Sequence, residues 1–416
     1  QILLYFSLPK LRDHLLNQVA RRLIQKLRKE RQNSWLLSIS TECQQKIYAL
    51  NLNSPEKVFI ARCVEYRIQE MKYKITELDR EVEQLPRAIR ELFYRFYSID
   101  ISTGSLKIPV GMEDWAKKRF WSLERVEKQQ IVAIKNKFTG EHSLFNRLRS
   151  DRPVEAKSAI AWEELEEKKK CLFCNPEKQT PADVFGRIKG KYCITGSNIA
   201  KYDAFHSLII FNEHNPLVIK REWVEDYLRT GERWFEEVSK LAKMKKKLQK
   251  FFIWNCLWRS GASIIHGHIQ LTASKMRYGK LELLEKVAAD YKREFNTDYI
   301  EDLYRVHESL GLTKENKSER ILFYLTPIKE KEIFVISEAR RSDKMADTIY
   351  KLLRAYLNIG VQSFNLAVFQ LGDYHIIRLV DRGSLEDRNS DIGAMELYAA
   401  SVIASDPFKL AQGISI

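Results

Sequence analysis

Residues 255–274 read NCLWRSGASIIHGHIQLTAS, and the organisation of the chain follows from them. Two histidines, His266 and His268, flank a single glycine and are followed by Gln270. In an extended segment side chains alternate between faces, so positions 266, 268 and 270 fall on one side of a strand. Two imidazoles and a carboxamide then line one wall of a site. The small residues Ser260, Gly261, Ala262 and Ser263 form a turn that lets backbone approach a ligand, because Gly261 has no Cβ. An imidazole can act as nucleophile, base or metal ligand. The plain alternative is a surface strand that carries two histidines by chance, and the flanking residues weigh against it.

The 416-residue chain is 44% hydrophobic and 30% charged, the composition of a soluble globular protein long enough for two or three domains. No run reaches the roughly eighteen apolar residues that a membrane span needs. The opening QILLYFSLP lacks a basic n-region and a cleavage site, so no signal peptide is expected. Six cysteines without a regular framework point to a reducing, cytoplasmic compartment and to metal binding rather than disulfides. The net charge of +15 favours anionic partners: nucleotides, sugar phosphates or nucleic acid.

Working outward, residues 11–30 read as a basic amphipathic helix with Leu11, Leu15, Val19, Leu23 and Leu27 on one stripe. Val64, Ile68, Met71, Ile75, Leu78, Val82, Leu85, Ile89, Leu92 and Phe96 then alternate four and three apart, a coiled-coil-like seam. Pro86 interrupts it and predicts a kink or a fresh helix start. The seam fits a hairpin against residues 11–30 or a homodimer, and residues 1–120 are expected to be helical throughout. From about Lys128 the pattern changes to short β-like runs. CLFC (171–174) is a Cys-x-x-Cys, either a metal knuckle or a redox pair, and the loop character of Asn175 and Pro176 suits a zinc knuckle better. GKYCITGSNIAKYDAFHSLIIF (190–211) reads as two antiparallel strands around Asn198, with His206 a structural histidine. A helix (221–247) and the strand FFIWNCLW (251–258) follow. Strands at 321–337, a helix at about 341–358 and strands at 364–370 and 374–382 then repeat the same order without its sequence motif.

SGASIIHGHIQ (260–270) resembles the active-site signature of the histidine-triad superfamily. It is similar to the transferase branch of galactose-1-phosphate uridylyltransferases and diadenosine tetraphosphate phosphorylases. The resemblance covers residues 128–416. It implies an α+β fold of two antiparallel-sheet-plus-helix repeats, at 121–275 and 276–416, the second degenerate. It also implies that His268 attacks an α-phosphate. Hydrolases of the superfamily carry histidine where this chain has Gln270, and a carboxamide cannot shuttle protons to water, so transfer is favoured over hydrolysis.

The resemblance further implies one structural zinc ion (Zn2+) held by Cys171, Cys174, His214 and His266. It places Arg149 and Arg152 near the nucleotide phosphates, with Asn198, Asn255 and Ser263 as further nucleotide contacts and Glu396 on the hexose hydroxyls. The chain departs from the family at Gly267, where proline is usual, and in having only His375 where a second metal site is built. The expectation is therefore a nucleotidyltransferase acting through a nucleotidyl-histidine whose Nδ1 or Nε2 is fixed by a backbone carbonyl. It takes a nucleoside diphosphate compound and passes the nucleotidyl group to a hexose 1-phosphate or to inorganic phosphate. A nucleic-acid-binding or end-processing protein is the alternative of another class, as is a helical scaffold whose transferase half only senses a ligand.

Overall fold

The 4-3 apolar spacing ends at Phe96, and there helix gives way to strand. The computed structural model describes residues 74–120, 122–151, 171–242, 248–316, 319–338, 342–387 and 390–416. The helix expected at 11–30, the seam before residue 74, and Arg152 lie outside these. Helices α1 (Leu78–Glu83) and α2 (Arg87–Phe96) are separated at Pro86, as the missing N–H of proline requires. Ile75, Leu78, Val82, Leu92 and Phe96 are buried. The Phe96 ring meets Phe138, Tyr291 and Tyr299, each at 5.3 Å between centroids, so this part of the seam is covered from within the chain.

Strand β1 (Tyr97–Ser105) corrects the expectation of helix through residue 120. Its sequence YSIDISTGS alternates β-branched and polar residues, a period-two pattern that cannot continue the seam. It pairs antiparallel with β2 (Lys128–Asn136), which turns at Gly140 (φ 72°) into β3 (His142–Phe145). The late strand Ser401–Ile403 closes this four-stranded sheet beside β3.

The second sheet carries the site. Its first half comprises β4 (Cys193–Ser197), β5 (Phe205–Phe211), helix α3 (Arg221–Ala242), β6 (Gln249–Cys256) and β7 (His268–Ser274). Helices α4 (Gly279–Phe295) and α5 (Tyr299–Ser309) cross to the second half. That half comprises β8 (Thr313–Asn316), β9 (Glu319–Phe323), β10 (Ile333–Ser337), helix α6 (Ser342–Asn358), β11 (Phe364–Leu371) and β12 (Tyr374–Asp381). The strand order is β4-β5-β7-β6-β11-β12-β10-β9-β8. Outward from the β6–β11 join, the two halves run in the same order, so the second is a repeat of the first with β8 added at its edge. A Cβ on Gly231 of α3 would touch Phe252 and Leu271, which shows which face of β6 and β7 the helix covers. His268 and Gln270 therefore point to the opposite face.

In the second repeat that opposite face is filled. Arg378 of β12 forms ion pairs with Glu332 (2.5 Å) and Glu141 (2.7 Å) and lies over the rings of Tyr324 and Phe334. Burial opposes its charge, but the two carboxylates hold its pKa well above the ordinary arginine range. The Tyr324 hydroxyl also donates to Glu141 (2.7 Å), so the β2–β3 hairpin is fastened to the large sheet by a buried charged network.

Candidate active site

Between β6 and β7 the backbone makes two left-handed steps, at Leu257 (φ 65°) and Gly261 (φ 91°), around the turn Trp258–Ser260. The chain then enters β7 through Gly267. The Gly267 N–H donates to the His214 carbonyl (3.1 Å), and its own carbonyl accepts the Phe211 N–H (3.0 Å). A Cβ at 267 would sit 2.3 Å from Cδ2 of Phe211. That ring is stacked on Tyr227 (4.0 Å, 5°) and meets Trp254 edge-on (5.3 Å). Glycine here is thus required by a packed ring, and the hydrogen bond it donates is one that proline could not make.

Cys171, Cys174, His214 and His266 converge, with ligand atoms all within 4.8 Å of one another. Sγ of Cys171 is 3.4 Å from Nδ1 of His266, Sγ of Cys174 is 3.3 Å from Nδ1 of His214, and the two Nδ1 atoms are 3.2 Å apart. Nε2 of His266 donates to the Phe211 carbonyl (2.7 Å), which places its ring proton there and turns the Nδ1 lone pair into the cluster. Burial first, then its His214 and His268 neighbours, pulls the His266 pKa down to about 4. Two thiols and two inward lone pairs at this spacing can hold a metal ion.

His268 is buried, and its Nδ1–H donates to the His266 carbonyl (2.9 Å). The Nε2 lone pair is left available, and burial lowers the pKa of the ring. Phe173, from the knuckle, stands edge-on to His268 at 5.3 Å. Gln270 is held by two residues: its Oε1 accepts the Tyr202 hydroxyl (2.9 Å) and lies 3.2 Å from Nε2 of His206. Asn198 contacts the same imidazole (3.1 Å). His206 was expected to be structural. The register pairs β5 with β7 so that His206 shares the face of Gln270, and the period-two alternation within β5 is the signal that could have found it.

The other expected residues lie on β6, on the 257–263 turn and around a cleft that reaches Arg259 of that turn. Asn255 accepts a hydrogen bond from Asn365 across the β6–β11 join (2.7 Å), and Asn365 in turn accepts from Arg382. Arg382 grips Asp391 with two hydrogen bonds (2.7 and 2.9 Å). A cleft of about 270 Å³ is lined by Arg149, Arg259, Lys329, Arg382, Asp391 and Glu396. A neighbouring cleft shares Arg259 and Arg382 and reaches Gly261 of the signature turn. Burial raises the Glu396 pKa, but the Gly393 amide (2.9 Å) and other donors leave it net below the usual carboxylate value. Ser263 is exposed on the turn. Arg149 and Glu396 are thus brought together, while His268 and Gln270 line neither cleft.

No protein-family model matches the chain. An uncharacterized protein of Archaeoglobus fulgidus is 23% identical over 228 residues, 49% of this chain and 67% of its own length. Among solved structures, an ADP-glucose phosphorylase from Arabidopsis thaliana with bound ADP-glucose aligns at a TM-score of 0.53 with 13% identity. The alignment covers 68% of this chain and 97% of that one. A galactose-1-phosphate-uridylyltransferase-like protein from the same plant aligns at a TM-score of 0.51 with 14% identity and the same coverage. The chain shares the fold of these two structures. Within it this chain presents a desolvated imidazole, a carboxamide held by Tyr202 and His206, and beside the imidazole four residues that could hold a metal ion. Among the described residues no helix is long and apolar enough to cross a membrane.

Proposed function

We propose that the protein is a nucleotidyltransferase acting through a nucleotidyl-histidine at His268. The observation that supports this reading is the Nδ1–H bond of His268 to the His266 carbonyl, which leaves the Nε2 lone pair available for attack. Nε2 attacks the α-phosphorus of a nucleoside diphosphate compound, and the bond from that phosphorus to the bridging oxygen breaks. The remaining phosphate ester leaves with that oxygen. An oxygen of a second phosphate compound then attacks the same phosphorus and restores the imidazole. A nucleotide sugar is the donor, consistent with the ADP-glucose held by the structurally similar phosphorylase. The acceptor is a hexose 1-phosphate or, in the phosphorylase version, inorganic phosphate.

Gln270 meets a non-bridging oxygen as charge builds there. Arg149 and Arg152 serve the phosphates, Asn198, Asn255 and Ser263 the nucleotide, and Glu396 the sugar hydroxyls. Cys171, Cys174, His214 and His266 hold one structural zinc ion, whose binding energy locks the knuckle. With the knuckle locked, Phe173 keeps water from His268. Incubation with α-labelled nucleotide sugar and no acceptor should leave acid-labile, base-stable label on His268. His268→Ala should lose both label and turnover. Wild-type turnover by that variant would sink the proposal.

A further inference from the structure

A carboxamide has a donor end and an acceptor end, and which end faces a phosphate oxygen decides whether it attracts or repels it. In Gln270 the oxygen end is already engaged, by the Tyr202 hydroxyl (2.9 Å) and by Nε2 of His206 (3.2 Å). The backbone N–H of Tyr202 is directed at Nδ1 of His206 (3.4 Å), which makes Nδ1 the acceptor and puts the ring proton on Nε2, aimed at Gln270. Asn198 Nδ2 lies 3.1 Å from that Nε2 and competes for it, since its own oxygen is tied to the Ala200 N–H (2.9 Å). The Nε2–H tautomer satisfies Gln270 and the Tyr202 backbone together. The other tautomer satisfies Asn198 and turns the Gln270 amide over. Burial lowers the His206 pKa, which keeps the ring neutral and its tautomer meaningful.

The geometry points to His206, together with Tyr202, as the positioning pair that holds Gln270 with its NH2 toward the phosphoryl group on His268. This rests on the reading of His268 as the nucleotidylated residue. It gives His206 a task although it touches no reacting atom. With the amide fixed, Gln270 offers two N–H donors where negative charge grows, at no cost in reorientation during the step. Tyr202 is 63% exposed and holds its ring 4.0 Å from that of His206, so the pair also forms the solvent-side wall behind the amide.

The test uses the full chain and the variants His206→Phe, His206→Gln, Tyr202→Phe and Gln270→Ala, each checked by thermal melting. The probe is α-labelled ADP-glucose or UDP-glucose, whichever labels wild type. His206→Phe should slow His268 labelling about tenfold, the loss of one well-placed hydrogen bond, with the donor KM changed less than twofold. His206→Gln, which keeps a donor, should recover most of that rate. In the Gln270→Ala background His206→Phe should have no further effect. Nitrogen-15 spectra of histidine-labelled protein, with the His206 signal assigned by its loss in His206→Phe, should show a protonated Nε2. A protonated Nδ1, or an additive loss in the Gln270→Ala background, overturns the proposal. Failure of wild type to take label from either donor would instead reject the nucleotidyl reading, while the tautomer would still judge His206.

Discussion

Replacing Gly267 by alanine puts a methyl group where Phe211 already stands. The added carbon would lie 2.3 Å from Cδ2 and 2.9 Å from Cε2 of that ring, far inside van der Waals contact. The ring cannot swing aside, because it is 4% exposed, stacked on Tyr227 and met edge-on by Trp254. Overpacking of this kind costs about 1–3 kcal/mol. Proline adds the loss of the N–H to the His214 carbonyl, about another 1 kcal/mol, and disturbs a residue of the metal-ligand cluster. Gly267→Pro should therefore be less stable than Gly267→Ala in urea unfolding and should retain less metal after dialysis, by elemental analysis. Phe211→Val should relieve the clash, so the double variant with Gly267→Ala should beat additivity by about 0.5–3 kcal/mol. Full stability in Gly267→Ala, or strict additivity in the double variant, would refute the argument that the ring dictates the glycine.

Cys171→Ser or Cys174→Ser should lose stoichiometric metal and lower the melting temperature, since metal binding at a closed site is folding free energy; unchanged metal content measured by elemental analysis would contradict it. His307 donates from Nδ1 to Leu303 (2.8 Å), accepts the Leu325 N–H at Nε2 (3.3 Å), and is held by burial at a pKa of about 4 against an ordinary 6.5. The unfolded chain binds this proton first as pH falls, so the contribution is full above about pH 6.5 and is lost toward pH 4, about 3 kcal/mol in all. His307→Gln should flatten that part of a urea stability curve measured against pH. Leu78→Glu should cost about 3 kcal/mol or more by putting a charge into a fully buried position, read by the same unfolding assay.

Strand and helix order from Lys128 onward was legible because short apolar runs alternate with turn residues and helices α3 and α6 keep their apolar stripes. β8, with the sequence TKEN, carries no such signal, since its place is fixed by backbone pairing to β9 rather than by its side chains. β1 was hidden by the seam running into it from the helical side. The metal cluster was only half legible from spacing: Cys-x-x-Cys names two ligands, and the other two came from the resemblance. The partnership of His206 with Gln270 depends on the β5–β7 register, and these residues are 64 positions apart. The charged network is more remote still, for Arg378 finds Glu141 237 positions away. Residues 374–382 announced a strand, and nothing in them announced a buried arginine.

The join between β6 and β11 has a consequence for how such a protein can be divided. Six consecutive residue pairs, from Phe369–Phe251 to Phe364–Cys256, knit the half-sheets together, with Asn255 opposite Asn365. Each repeat thereby supplies the other's missing edge, and a severed first repeat would expose the unpaired backbone of β6, an invitation to aggregation. Because both edges belong to one chain, their meeting is unimolecular and does not weaken on dilution, as a join between separate subunits would. The repeat without the two-histidine signature is then a permanent escort. It is free to fill its own face with a guanidinium and two carboxylates, provided β11 stays in register beside the strand that leads into the 257–263 turn.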